Sequence, residues 1–207
     1  CVAWARAAQR HGARLVLGAR VTAITQGAGG TWTVGTADGD TWATPVVVNA
    51  AGPWSAGVNA LAGVGADVTV TPRPLRGEVH AVPAPPGYGG PDSPSGLGPC
   101  IGDPDLGYYI RPELGGGDLI GSMDPDCDPL EWLDDPDTAN PERTAAAFER
   151  QVLRAARRFP GLTVPSQPAG VGGVYDVTPD WLPIYDRTDR DGFYVAMGTS
   201  GNQFKNA

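Results

Sequence analysis

The residues of this chain able to do chemistry fall in two small-residue turns and on three polar side chains. Asn49-Ala50-Ala51-Gly52 follows the run Val46-Val47-Val48, and its small side chains either let a nucleotide approach the backbone or simply make a tight strand-to-helix turn. Gly198-Thr199-Ser200-Gly201-Asn202-Gln203-Phe204 reads as a glycine-bearing loop opening into a helix. Such a loop turns backbone N–H groups and a positive dipole end toward negative charge. Lys205, the one lysine beside fourteen arginines, follows it directly. Tyr109 and Tyr175 supply phenols that either bond a carboxylate or fill core.

Other chemistries fail on spacing. Asp124-Pro125-Asp126-Cys127-Asp128 starts like a calcium loop, but Pro129 and Asp135 stand where that loop needs glycine and a bidentate carboxylate in register. Gly198-Thr199-Ser200-Gly201-Asn202 lacks the last glycine of a hydrolase elbow. His11 and His80 have no companions at zinc-ligand spacing, so no metal site is expected. Gly63-Val64-Gly65 and Gly170-Val171-Gly172 each lack the third glycine of a dinucleotide fingerprint.

The elements that must position these residues are legible from periodicity. A helix is expected over 1–11, with Val2, Ala5 and Ala8 on one stripe and Gly12 ending it. A short strand is expected over 14–17. Residues 20–25, 31–34 and 41–43 read as a small antiparallel set turned at Gly29-Gly30 and Asp38-Gly39. The β-branched run 46–48 reads as a strand buried on both faces, delivering its turn to a helix over 54–61. Strands are expected at 75–82, 108–111, 119–121, 173–177 and 192–197. A helix over 142–158 takes Asn140 as N-cap and Pro141 in its first position, with Phe148, Val152, Ala156 and Phe159 as its apolar stripe.

Composition excludes several classes. With 207 residues and 41% hydrophobic content the chain can bury a core. A net charge of −8 speaks against nucleic acid as a partner, and no apolar stretch is long enough for a membrane span. Cys1, Cys100 and Cys127 make neither a disulfide framework nor a metal site, which suits a reducing, cytoplasmic compartment. Taken alone, these features reach a two-part α/β protein.

Four segments go further: 46–55, 108–112 with 118–122, 173–184, and 192–206. In that order they resemble the FAD-dependent amine and amino-acid oxidoreductase family, which includes D-amino-acid oxidase, glycine oxidase and sarcosine oxidase. The resemblance implies an incomplete FAD/NAD(P)-binding Rossmann-like α/β domain over 1–70 and 169–207. A mixed-sheet, α+β substrate domain over 71–168 would be interleaved with it. In the family the Gly-x-Gly-x-x-Gly unit lies upstream of the position of Cys1, so the chain is read as an internal piece of a longer one.

The resemblance also assigns roles. Val21 corresponds to the position whose backbone meets adenine, with a core valine as the alternative. Ala51, Gly52 and Trp54 would approach the cofactor. Gly198, Ser200, Gly201, Asn202, Gln203 and Phe204 would lie against the isoalloxazine ring. Lys205 would meet a substrate carboxylate as a point charge, and Tyr109 would face the flavin. Tyr175 stands where glycine oxidase carries a carboxylate-binding arginine. Gly173 stands where sarcosine oxidase carries its covalent-flavin cysteine, so FAD is expected to bind non-covalently. The implied reaction is oxidation of a C–N bond in a small amine or an N-substituted or D-amino acid, by hydride transfer to flavin. The alternatives at this point are a fragment that cannot hold FAD alone and a non-catalytic nucleotide-binding or interaction module.

Overall fold

The computed structural model describes residues 2–65, 69–88, 96–113, 116–122 and 124–201. The chain runs through α1 (Val2–Arg10), β1 (Val21–Gln26), β2 (Trp32–Thr36), β3 (Thr41–Thr44), β4 (Val47–Asn49) and α2 (Ser55–Leu61). Next come β5 (Arg73–Pro83), β6 (Ile101–Asp103), β7 (Tyr108–Glu113), β8 (Gly117–Ser122) and β9 (Glu131–Trp132). Then follow α3 (Ala145–Arg158), β10 (Ala169–Val177), β11 (Ile184–Arg187) and β12 (Phe193–Met197). No helix among the described residues is long and apolar enough to cross a membrane.

The elements group into two units. The first takes the chain through Ala51, then Ser55–Thr69 and Ile184–Met197; the second takes Gly52–Trp54, Val70–Pro183 and the chain from Gly198 onward. This division differs from the boundary expected at 168. β10 pairs with β5 along nine residues, from Ala169↔Ala81 to Val177↔Arg73, which places it in the sheet of the middle section.

In the first unit β1, β2 and β3 form an antiparallel sheet in that order, with Gly39 at φ 88° in the second turn. β12 pairs parallel to β4 and antiparallel to β11. Trp32 and Phe193 centre the core with Ile24, Val195 and Met197, their rings 5.3 Å apart. The Trp32 indole N–H donates to the Asp191 carbonyl at 3.0 Å, which satisfies its polar edge inside that core.

Two expectations are corrected here. Residues 14–17 form no strand, because their backbone meets no ladder partner among the described residues; Leu17 is 81% exposed. β4 is not buried on both faces, since Val46 and Val48 are exposed. The helix expected over 1–11 is present as α1, and its stripe of Val2, Ala5 and Ala8 contains no buried residue among the described residues.

In the second unit the antiparallel order is β10-β5-β8-β7-β6, with β9 beside β5. Side chains alternate across such a sheet. One face carries Val82, Tyr108, Ile110 and Ile120 against Phe148, Val152 and Ala155 of α3. The start of α3 is also corrected. Asn140 caps only a local turn, its Oδ1 accepting from the Glu142 N–H at 2.9 Å. The helix begins at Ala145 behind Thr144, whose Oγ1 accepts from the Ala147 N–H. The reason is long-range: the Glu78 carboxylate on β5 accepts the Thr144 N–H at 2.7 Å and is itself held by Arg76 at 2.8 Å. Arg76 also donates to the carbonyls of Asn140 and Glu142, fixing the approach to the helix.

Candidate functional site

The face of the second sheet turned away from α3 carries the two candidate tyrosines. Register places Tyr109 of β7 opposite Gly121 of β8, and Gly77 of β5 opposite Gly173 of β10. The Tyr109 ring lies over Gly121, where an added Cβ would run into the phenol. The Tyr175 ring lies over Gly77, 2.7 Å from the position a Cβ would take. The two side chains therefore lean inward across the glycines of β8 and β5, which brings their phenols near enough for each to feel the other. Burial pushes the Tyr109 phenol well above its usual range, and the nearby Tyr175 phenol pushes it the same way. Tyr109 is thus a neutral hydrogen-bond donor throughout the physiological range.

Gly201 borders this pair. A Cβ there would stand 2.9 Å from the Tyr175 ring edge opposite Gly77, and its φ of 81° is one that side chains rarely adopt. The loop is fixed by Asp176, a carboxylate only 1% exposed. Its Oδ2 accepts the Gly198 N–H at 2.7 Å, and its Oδ1 accepts the Thr199 hydroxyl at 3.0 Å. Its main-chain carbonyl accepts the Ser200 N–H at 3.1 Å. The Ser200 hydroxyl donates to the Gly198 carbonyl, and Ser200 itself is held at φ 49°. The N–H groups of Gly198 and Ser200 are consequently engaged within the protein, a correction to their expected role as anion donors.

The turn at 49–52 is built similarly. Asn49, 2% exposed, donates through Nδ2 to the Ser55 carbonyl at 2.9 Å and to Asn59 Oδ1 at 2.8 Å. Its Oδ1 accepts the Ala51 N–H at 3.1 Å. The side chains at 50 and 51 are small, and Asn49 engages the Ala51 N–H within the protein. Gly52 has φ 55°, and a Cβ there meets nothing within 4 Å.

The remaining candidates are placed as follows. Gly52 and Trp54 lie against β5 and β10 in the second unit, and the Trp54 indole N–H donates to Asp137 Oδ1 at 2.9 Å. Val21 and Ala51 belong to the first unit, where Val21 packs against the Trp32–Phe193 core. Gly173 is exposed, with open space where a Cβ would stand. Asn202, Gln203, Phe204 and Lys205 lie outside the described residues.

Sequence reasoning passed over Asp176, Gly77 and Gly121. Two glycines inside strands signal a close approach from above. Asp176 gives no such sign, because its partners lie more than twenty residues downstream.

A family profile described as FAD dependent oxidoreductase matches residues 1–207. FAD-dependent oxidoreductase domain-containing protein 1 of Bos taurus is 30% identical over 177 residues, covering 78% of this chain and 33% of that protein. The structure of L-proline dehydrogenase from P. horikoshii superposes with a TM-score of 0.76 at 22% identity, covering 98% of this chain and 50% of that one. Glycine oxidase from Geobacillus kaustophilus gives a TM-score of 0.72 at 26% identity, covering 96% and 47%. The chain therefore spans about half the length of these solved structures and a third of the curated relative.

Proposed function

We propose that this chain, which belongs to the FAD dependent oxidoreductase family, holds FAD non-covalently and oxidises a C–N bond of a small amine or an N-substituted or D-amino acid. The observation that carries this reading is the phenol pair of Tyr109 and Tyr175, leaning over a glycine floor beside the Gly198–Gly201 loop. The residues present fit a flat ring system. Gly52 and Gly173 leave open space, and the tyrosine rings offer a smooth aromatic surface.

Bound FAD supplies the acceptor for the hydride that leaves the carbon next to nitrogen. The chain's own residues bind and orient. Tyr109, held neutral, donates a hydrogen bond to a substrate carboxylate or amine. Tyr175 lies beside that phenol, and Asp176 holds the neighbouring loop. Lys205 takes the substrate carboxylate as a point charge. The amine binds in its neutral form, so no side-chain base is required.

Anaerobic mixing of the FAD-loaded protein with a panel of amines and amino acids tests this. Loss of the flavin's visible band with at least one of them is expected. A flavin that dithionite bleaches but no amine or amino acid does would refute the reading. Lys205→Met is expected to raise KM for carboxylate substrates and leave uncharged amines alone, and equal effects on both would remove Lys205 from that role.

A further inference from the structure

Arg111 is a cation on the tyrosine face of the sheet, and its role rests on the function proposed above. Arg111 lies two residues beyond Tyr109 on β7, so strand alternation puts both side chains on one face. Its register partner Leu119 sits two residues from Gly121, the floor beneath Tyr109. The Arg111 field reaches the Tyr109 phenol. The guanidinium is 54% exposed and pairs with Glu113, also exposed, at 2.8 Å.

A solvated pair of this kind contributes little to stability. A carboxylate from outside can therefore displace Glu113 at small cost. Guanidinium suits that exchange, because its planar fork meets a carboxylate with two parallel N–H bonds. Two residues of strand span about 7 Å, the reach between the reacting end and the far acid of a short dicarboxylic molecule.

We propose that Arg111 is a specificity-determining residue that exchanges Glu113 for a second carboxylate of the substrate. The preferred substrates are then amino acids carrying an acidic side chain or an acidic N-substituent. This second carboxylate is distinct from the one assigned to Lys205.

Titration calorimetry of the FAD-loaded protein with succinate and propionate reads the site without turnover. Succinate is expected to bind about tenfold more tightly, the worth of one charge-assisted pair. Arg111→Leu abolishes that preference, Arg111→Lys keeps part of it, and Glu113→Gln tightens succinate by removing its competitor. Equal binding of the two acids by the unmodified protein, or a preference that survives Arg111→Leu, overturns the proposal. Flavin bleaching is read separately. Bleaching by amino acids with an unchanged ratio in Arg111→Leu defeats this inference alone. A ratio lost in Arg111→Leu, in a protein that no amino acid bleaches, supports the anion site and defeats the oxidase reading.

Discussion

Tyr109 and Tyr175 stand on strands separated by two others, yet their rings lean toward each other because Gly121 and Gly77 on those intervening strands leave the rings room to lie down. The relationship joins sequence to function through packing. A side chain at either glycine would lift a ring from the sheet and part the pair.

Gly121→Ala is therefore expected to displace the Tyr109 ring, since the new methyl would occupy its place. Flavin reduction should slow by at least about tenfold, equivalent to about 1.4 kcal/mol, while stability falls by about 1 kcal/mol. Stopped-flow reduction alongside urea unfolding separates the two effects. An unchanged reduction rate would detach Tyr109 from the site.

Asp176→Ala leaves the Gly198 N–H and the Thr199 hydroxyl without their buried acceptor. A loss of about 3 kcal/mol is expected, because hydrogen bonds to a charged group exceed neutral ones. FAD affinity should weaken with it, since the loop beside Tyr175 loses its anchor. Urea unfolding and flavin titration check both.

The antiparallel set β1–β3 was legible because Gly29-Gly30 and Asp38-Gly39 are turn chemistry read locally. The start of α3 was not. Asn140 and Pro141 imitate a helix start, whereas Thr144 wins through Glu78, sixty-six residues away in the chain. β10 extends back to Ala169 despite three glycines, because its ladder to β5 satisfies the backbone that sequence propensity disfavours. Val46 and Val48 read as core because β-branched runs usually are, and the sheet gives them no cover among the described residues. Tyr109 and Tyr175 could be singled out in sequence, but their meeting could not, since it depends on register across four strands. Asp176 was invisible for the same reason.

His80 is fully buried on β5, edge-on to Phe148, with neither ring nitrogen hydrogen-bonded among the described residues. Burial lowers its pKa, against the pull of Glu78 and Asp128 and with the push of Arg143. The unfolded chain therefore takes up the proton more readily, and stability should fall as pH drops below about 6.5. His80→Leu should flatten the stability profile between about pH 5 and 7. A slope unchanged by that substitution would contradict the assignment.

Asp118, on the α3 face of β8, is 1% exposed, and neither carboxylate oxygen has a hydrogen-bond partner among the described residues. Burial raises its pKa, so folding favours the protonated acid. Its contribution to stability is present at low pH and lost as pH rises through the raised value. Asp118→Leu should stabilise the protein by about 1–3 kcal/mol at neutral pH, read as a higher midpoint in urea. Destabilisation would mean the carboxylate serves a partner of its own.

The most direct measurement is a double-mutant cycle on flavin reduction using Tyr109→Phe, Tyr175→Phe and the double variant. If the two phenols act as one coupled unit at the substrate, the double variant is about as slow as the slower single one, and the coupling reaches about 1 kcal/mol. Rates that multiply independently, or that match the unmodified protein in every variant, would contradict the account.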